Sequence, residues 1–333
     1  MTDMLAQIRS LGDQLRWAAD LDPPHVGTFS EILYAGMGGS GIAGDYAGAV
    51  AYPVGTRIAV HKGYGPIPPW AIRQRPLLIA ASYSGNTEET LDMVTSAWES
   101  GLTVATVTTG GRLAELTTQH GWRTIAVPPG LQPRAAVGYM VGAVLRLLEG
   151  SHSVDDQRLA FTEAAKLADE MTAEDSPAWQ QAEEIAEGLE GRIPIIYGAG
   201  PVTGVVAQRW KTQLNENAKI PAWYSVLPEL DHNEITGWET MPGTTREHVG
   251  IVALTDPGDH DRVAIRIGHT RDLTESAVPW VGVVPSSGTS TLARLVSLTA
   301  VGDLVSWMLA ERLGVDPVPV ATIEELKKLL ADD

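Results

Sequence analysis

Short runs of β-branched and apolar residues alternate with helical stretches along most of the chain. The runs EILYA, PLLIAAS and LTVATVT each have the length of a buried strand, and each leads into a longer segment typical of a helix. This alternation is typical of parallel strands joined by crossover helices, so it predicts an α/β fold. Ligands bind at the carboxyl ends of the strands in such sheets, so we expect a site there.

The alternation stops at a charged stretch and then starts again. Residues 151–191 have helical periodicity and include Pro177, which predicts helices that bridge two halves. After them, the strand and glycines of residues 32–36 recur at 195–200. Later strands recur in the same order, so we interpret the chain as an internal duplication of one module. Chance similarity between strand–glycine–helix units is the alternative.

We therefore predict two doubly wound modules and a C-terminal helix, with a parallel five-stranded sheet flanked by helices in each module. The first 17 residues, MTDMLAQIRSLGDQLRW, are predicted to form one amphipathic helix. The predicted divisions are a first module at 1–152, a helical linker at 153–190, a second module at 191–315 and a C-terminal helical segment at 316–333.

The charge of the chain limits what it can bind. It has 41 acidic and 24 basic residues and a net charge of −17, which argues against nucleic acid as a partner. An anionic metabolite would have to be held by hydroxyls, backbone N–H groups and helix N-termini. The absence of cysteine excludes disulfides and thiolate chemistry. No apolar run looks long enough to span a bilayer, so we expect a cytoplasmic protein without membrane contact.

The segment after the run PLLIAA, residues 82–87, is rich in hydroxyls, and we call it the hydroxyl loop. It contains Ser82, Ser84 and Thr87, and Gly85 permits a tight turn before a helix begins at Thr87. The free N–H groups of that helix would complete an anion receptor without a positive charge. A capping box would explain Thr87 but leaves both serines unexplained, so we favour phosphate binding.

A glycine-rich turn after the first strand forms the other part of this predicted phosphate cradle. Residues 36–41, the glycine turn, read GMGGSG and bring Gly39 and Ser40 to the start of a helix. The glycine spacing also fits a dinucleotide-binding fingerprint, which needs an acidic residue about twenty positions further on. Residues 57–62 there read RIAVHK and contain no carboxylate, so a nicotinamide cofactor is not expected.

The second half has a different sequence where the first has its hydroxyl loop. Residues 255–261, the acidic loop, read TDPGDHD. Three carboxylates, and a proline without an N–H group, would repel a phosphate. The sequence therefore predicts that only the first module binds an anion.

Six short motifs, in order along nearly the whole chain, resemble the bifunctional phosphoglucose/phosphomannose isomerase family, whose members consist of two SIS (sugar isomerase) domains. Six motifs in register are more specific than the SIS loop alone, which also suits sugar-phosphate-sensing regulators. The motifs are GMGGSGIAGD at 36–45, SYSGNTEETL at 82–91, QPRAA at 132–136, NENAK at 215–219, DHNE at 231–234 and IEELK at 323–327.

The resemblance implies a place in glycolysis and gluconeogenesis and a role for each motif. Arg134 would stabilise charge near the reacting carbons, and Glu216 would move a proton between C1 and C2. His232, from the neighbouring subunit of a homodimer, and Lys327 would open the sugar ring and polarise its oxygens. Lys328 stays open as the alternative lysine. The phosphate would be bound by five residues of the first module: Gly39, Ser40, Ser82, Ser84 and Thr87.

The residue types agree with this chemistry. Isomerisation through an enediol needs a carboxylate or imidazole for a carbon-bound proton and a cation for the developing oxyanion, and it requires no metal or other cofactor. Glu216 ends a helix that runs from Thr203, and Asn215 and Asn217 could orient it. Taken alone, Glu216 would be interpreted as a solvated carboxylate. Arg134, between a proline and two alanines, is unusual for a surface ion pair.

His232 lies in a short acidic segment. Asp231 and Glu234 could hold its tautomer and raise its proton affinity, while the simpler alternative is a helix N-cap at Asp231. A metal site is not indicated, because there is no HExxH pair. Lys327 on its own would be interpreted as part of a solvated helix face.

The resemblance, together with these residue types, implies an isomerase of glucose 6-phosphate and fructose 6-phosphate. Acceptance of mannose 6-phosphate is linked in the family to a threonine before the terminal lysine, and residues 318–322, VPVAT, leave its position open. One alternative is a sensor that binds a sugar phosphate without converting it. Another is a SIS isomerase of a different ketose phosphate.

Overall fold

The computed structural model describes residues 3–332, and the first half is a parallel sheet flanked by helices. The strand order is β2-β1-β3-β4-β5. Strand β3 is buried along its whole length because it is central and covered on both faces. The strands are β1 (Glu31–Ala35), β2 (Arg57–His61), β3 (Leu77–Ser82), β4 (Val104–Thr108) and β5 (Arg123–Ala126); the helices are α1 (Met4–Arg9), α2 (Leu11–Asp20), α3 (Gly38–Ala51), α4 (Pro69–Gln74), α5 (Glu88–Glu99), α6 (Gly111–His120) and α7 (Val137–Gly150).

The second half follows two further helices and repeats the first arrangement. Its strand order, β7-β6-β8-β9, is the same as that of the first four strands, as the predicted duplication requires. The elements are α8 (Arg158–Thr172), α9 (Pro177–Leu189), β6 (Ile193–Ala199), α10 (Gly200–Gln213), a π-helical turn (Leu214–Ala218), β7 (Trp223–Leu227), α11 (Glu234–Gly237), α12 (Pro242–His248), β8 (Val249–Thr255), α13 (Asp261–Thr274), β9 (Trp280–Pro285), α14 (Thr291–Leu313) and α15 (Ala321–Asp332).

The prediction of five strands in each sheet is wrong for the second half, whose sheet has four. In the first half the chain forms β5 after α6 and before the helix that covers the sheet. In the second half it passes from β9 through residues 286–290 directly into α14. Ser290 caps this helix by accepting a hydrogen bond from the Ala293 N–H group. The residues that would have to be extended to form a fifth strand are therefore helical.

Helix α14 lies between the two halves. It packs against α8, α9 and α10, and its buried residues belong to one continuous core that extends from Met4 to Ala310. The helix is long and apolar enough to cross a membrane, which corrects the prediction that no such run exists, but 89% of its most apolar window is buried inside the protein. Such burial is the property of a core helix in a soluble protein.

The N-terminal segment is helical as predicted, but it forms two helices and not one. Residues 1 and 2 lie outside the described part of the chain, and from Asp3 onward there are two helices rather than one. Asp3 caps α1 through a 2.7 Å hydrogen bond from the Ala6 N–H group. Ser10 ends α1 and precedes α2, whose buried face packs on α7 and α8.

Candidate active site

The hydroxyl loop follows β3 at the carboxyl edge of the first sheet, as predicted. Ser82 is almost completely buried, and its Oγ lies 2.8 Å from Thr87 Oγ1 and accepts from the Gly85 N–H group at 3.0 Å. Thr87 is the N-cap residue of α5, but its side chain makes no capping hydrogen bond. Ser84 is exposed. Ser82 therefore shapes the loop, while Ser84, Thr87 and the first N–H groups of α5 are available to an anion.

Gly85 explains why this loop can be so tight. Its φ is 72°, and a Cβ atom added there would lie 1.8 Å from the carbonyl oxygen of Gly110. Any side chain would therefore force the loop away from the turn that follows β4.

The glycine turn lies beside the hydroxyl loop. Ser40, in the first turn of α3, accepts a hydrogen bond on Oγ from the Tyr83 N–H group at 3.0 Å. Its carbonyl accepts from the Tyr34 hydroxyl at 2.5 Å. The two parts of the predicted phosphate cradle are thus joined by a direct contact, with the Ser40 hydroxyl proton left for another acceptor.

Gly39 connects this cradle to Arg134. A Cβ atom at Gly39 would lie 2.7 Å from the carbonyl oxygen of Pro133 and 3.1 Å from Cα of Arg134. The close backbone approach needs a glycine, and it puts the segment before α7 against the first turn of α3.

Arg134 is 3% exposed and its guanidinium contacts three separate parts of the chain. Nε donates to Asn217 Oδ1 at 2.7 Å, and Nη2 donates to the carbonyls of Pro317 at 2.5 Å and Val318 at 3.0 Å. Nη1 makes longer contacts, 3.3 Å to Gln132 Oε1 and 3.5 Å to Glu216 Oε2. Nη1 is thus the nitrogen with capacity for a substrate oxygen. Burial lowers the pKa of Arg134, and the charge of Glu216 opposes that shift.

Glu216 lies on the π-helical turn that ends α10, with 26% of its side chain exposed. Turns of this type interrupt α-helices at functional sites frequently. The flanking amides hold the turn rather than the carboxylate, because Asn215 donates to the Ile220 carbonyl at 2.8 Å and Asn217 donates to Ser306 Oγ at 2.9 Å. Asn217 thus helps to position Glu216 indirectly, because it fixes the backbone of the turn and binds Arg134.

A buried ion pair, Arg209–Asp303, was not predicted from the sequence, and it holds the backbone of Arg134. Arg209 on α10 lies 2.6 Å from Asp303 on α14 and donates to the Arg134 carbonyl at 3.0 Å. Gln213 donates to the other Asp303 oxygen at 2.9 Å. The available signal was a lone aspartate inside the apolar run of α14, since a carboxylate there must be paired.

His232 ends a short 3-10 turn after β7 and is exposed. The neighbouring carboxylates do not hold its ring, which differs from the expectation. Asp231 accepts from Arg266 and Thr270 on α13, at 2.8 Å each, and Glu234 accepts from the Tyr197 hydroxyl at 2.6 Å. The capping interpretation also changes, because the side chain of Asn233, not Asp231, caps α11. Within residues 3–332, the His232 ring makes no hydrogen bond or ion pair.

Lys327 lies on α15, where every side chain of residues 321–330 is exposed. It has no polar partner in the described part of the chain, whereas Lys328 lies 3.7 Å from Glu325 on the same helix. Contacts within one chain therefore join the cradle, Arg134 and Glu216, whereas in residues 3–332 neither His232 nor Lys327 makes a polar side-chain contact with them.

The acidic loop fills the corresponding place of the second half with a carboxylate. A Cβ atom on Gly200, the first residue of α10, would lie 2.7 Å from Asp259 Oδ1. Asp256 is 3.1 Å from Arg294 and accepts from Ser286 at 2.6 Å, while Asp259 Oδ2 is buried and unpaired within residues 3–332. Burial, followed by the charge of Asp256, raises the pKa of Asp259 to about 6.

The second half of the chain matches a known domain family. A family model described as "Bacterial phospho-glucose isomerase C-terminal SIS domain" matches residues 178–330. The fold is also similar to a crystal structure of a hypothetical protein from Thermus thermophilus, with a TM-score of 0.76 and 14% identity over 99% of this chain and 90% of that one. The two sheets and their flanking helices therefore form an SIS-type α/β architecture.

The relatives identify the family. The chain is 39% identical to a bifunctional phosphoglucose/phosphomannose isomerase of Caldicellulosiruptor bescii, over 91% of this chain and 90% of that protein. It is 37% identical to the protein of the same name from Aquifex aeolicus, over 99% of both. The chain belongs to the bifunctional phosphoglucose/phosphomannose isomerase family, as the resemblance predicted.

The buried carboxyl of Asp259 predicts a pH-dependent gain in stability for Asp259→Asn. Because folding raises its pKa from 3.8 to about 6, ionisation destabilises the fold as the pH rises through 6, and this penalty is absent below pH 4. The free energy of unfolding of the variant should rise by about 1 kcal/mol at pH 8, after allowance for solvent screening, and by only a small fraction of that at pH 4. Urea unfolding at both pH values measures this, with exposed Asp272→Asn as control. An equal gain at both pH values would contradict the assignment.

Proposed function

We propose that this protein interconverts glucose 6-phosphate and fructose 6-phosphate, and accepts mannose 6-phosphate as a second aldose. The observation that supports this most strongly is the 3.5 Å contact of Glu216 with Arg134, whose backbone packs on the glycine turn. A carboxylate and a cation are thus held together next to an anion receptor. This is the pair that an enediol mechanism needs.

In the proposed mechanism, the first module binds the phosphate and the second supplies the base. Ser84, Thr87, Ser40 and the N–H groups at the starts of α3 and α5 hold the phosphate, with Gly39 and Ser82 shaping the cradle. The acidic loop of the second module, with Asp259 at the start of α10, takes no phosphate. The bound anion therefore has one orientation, with its sugar carbons directed at Glu216.

Glu216 then removes the proton from C2 of the open aldose and returns it to C1, while the hydroxyl proton of O2 passes to O1, and the ketose forms. The negative charge that develops on the oxygens of the enediol is stabilised by Nη1 of Arg134, which exchanges its long contacts for the substrate. The remaining donors of Arg134 keep the guanidinium fixed, so little reorganisation is needed as the charge develops. No metal or organic cofactor takes part in these steps.

Ring opening requires a further acid and base besides Glu216 and Arg134. We assign it to His232 and Lys327, with His232 reaching the site from the partner of a homodimer. In support, α15 exposes Ile323, Leu326 and Leu330, one apolar helix face that a partner would cover. The protein would act in the cytoplasm, with modules at 1–152 and 191–315, a helical linker at 153–190 and the C-terminal segment 316–333 reaching toward the site.

The substitution Glu216→Gln tests the assignment of the base. It keeps the shape of the side chain but removes its basicity, so kcat for fructose 6-phosphate should fall by about 10²–10⁴-fold while hexose 6-phosphate binding persists. Coupled assays measure turnover with each hexose phosphate, and calorimetry measures binding. Exposed Glu187→Gln serves as control.

The same assays on the unaltered protein separate the alternatives. Binding without conversion of any hexose 6-phosphate would leave a sugar-phosphate sensor, and conversion of another ketose phosphate alone would leave a different SIS isomerase. A Glu216→Gln protein with full turnover would refute the assigned base.

Mixed dimers test whether His232 acts across a subunit boundary. Glu216→Gln and His232→Ala chains are each expected to be inactive as homodimers. A mixed dimer of the two would contain one intact site, so co-expression in equal amounts should recover about a quarter of the wild-type activity. Activity assays on the co-purified mixture measure this recovery. No recovery, with mixed dimers demonstrated by two affinity tags, would place His232 elsewhere.

A further inference from the structure

Lys219 closes the π-helical turn that carries Glu216, and its backbone is unusual. It follows the turn directly and has a φ of 60° and a ψ of 26°, in the left-handed region. Residues with a Cβ are uncommon in this region, where glycine and asparagine are favoured. A lysine is therefore a poor choice for the backbone, so its side chain should have a specific use.

The Lys219 ammonium lies between two main-chain carbonyls. It donates a hydrogen bond to the Glu216 carbonyl, and Nζ is 3.4 Å from the carbonyl oxygen of Pro317. A helix end leaves its last carbonyls without partners inside the helix, and a lysine can satisfy them. Lys219 therefore stabilises the part of the backbone from which the Glu216 side chain extends.

The Pro317 carbonyl is a shared acceptor. Arg134 Nη2 donates to it at 2.5 Å, so the first module and the π-helical turn hold the same point of the C-terminal segment. Burial lowers the pKa of Lys219, and the charge of Arg134 lowers it further, while Glu216 raises it. These contacts fix the distance between the Arg134 guanidinium and the Glu216 backbone through a third element.

We propose that Lys219 is a positioning residue, which holds the main chain of Glu216 against residues 317–318 so that the carboxylate keeps its place beside Arg134. The inference rests on the proposed function, in which Glu216 is the base. Among the described residues, the Lys219 ammonium makes its hydrogen bonds with the Glu216 and Pro317 carbonyls and none with the phosphate cradle. Its loss should therefore impair turnover without weakening substrate binding.

The test is Lys219→Asn, because asparagine suits the left-handed backbone but carries no ammonium. We expect kcat to fall by at least about tenfold, since a small displacement of a catalytic group is enough for such a loss. KM should stay within about twofold, and the midpoint of thermal unfolding should not decrease. Lys219→Arg should restore most of kcat, and Lys211→Gln on α10 should behave as the wild type.

Two results would overturn the inference. One is an unchanged kcat in Lys219→Asn, and the other is a parallel loss of kcat, substrate affinity and thermal stability, which indicates a structural role alone. If the asparagine variant does not fold, Lys219→Gly, which also suits a left-handed backbone, is measured in the same way. An inactive wild type would refute the proposed function itself, whereas an active wild type with an active Lys219→Asn variant refutes only this inference.

Discussion

The site depends on the contacts of one buried guanidinium. Arg134 comes from the first module, and it holds Asn217 and Glu216 of the π-helical turn and the carbonyls of Pro317 and Val318. A planar guanidinium has five N–H donors in a fixed geometry, which a lysine could not reproduce. Because Arg134 is desolvated, its shorter contacts, with Asn217 and the two carbonyls, are strong, and the loss of one of these partners is costly.

The same constraint explains why an acidic protein can bind a dianion. The net charge of −17 repels the substrate at long range, so in the proposed mechanism recognition depends on short-range donors at helix starts and on the buried Arg134. The two halves have diverged in this respect. The first keeps the proposed anion receptor after β3, whereas the second fills the corresponding place with Asp259, and the proposed base follows its helix α10.

Local signals made part of this predictable from the sequence. The hydroxyl loop and the glycine turn are encoded by adjacent residues, and the shared strand order of the halves follows from the repeated pattern. Asp303 inside an apolar run indicates a buried partner, but that this partner is Arg209 was not predictable, because the two residues are far apart in the chain. The same reason applies to the contact of Arg134 with the Pro317 carbonyl. The missing fifth strand and the partners of Asp231 and Glu234 also depend on tertiary packing, which periodicity does not report.

The proposed placement of the substrate is tested most directly by a crystal structure with a hexitol 6-phosphate, which cannot isomerise because it has no carbonyl. The proposed mechanism predicts phosphate oxygens within hydrogen-bonding distance of Ser84 and Thr87, and C1 and C2 within about 3.5 Å of the Glu216 carboxylate. Phosphate density at the acidic loop, or a sugar chain directed away from Glu216 with the phosphate in the cradle, would contradict it.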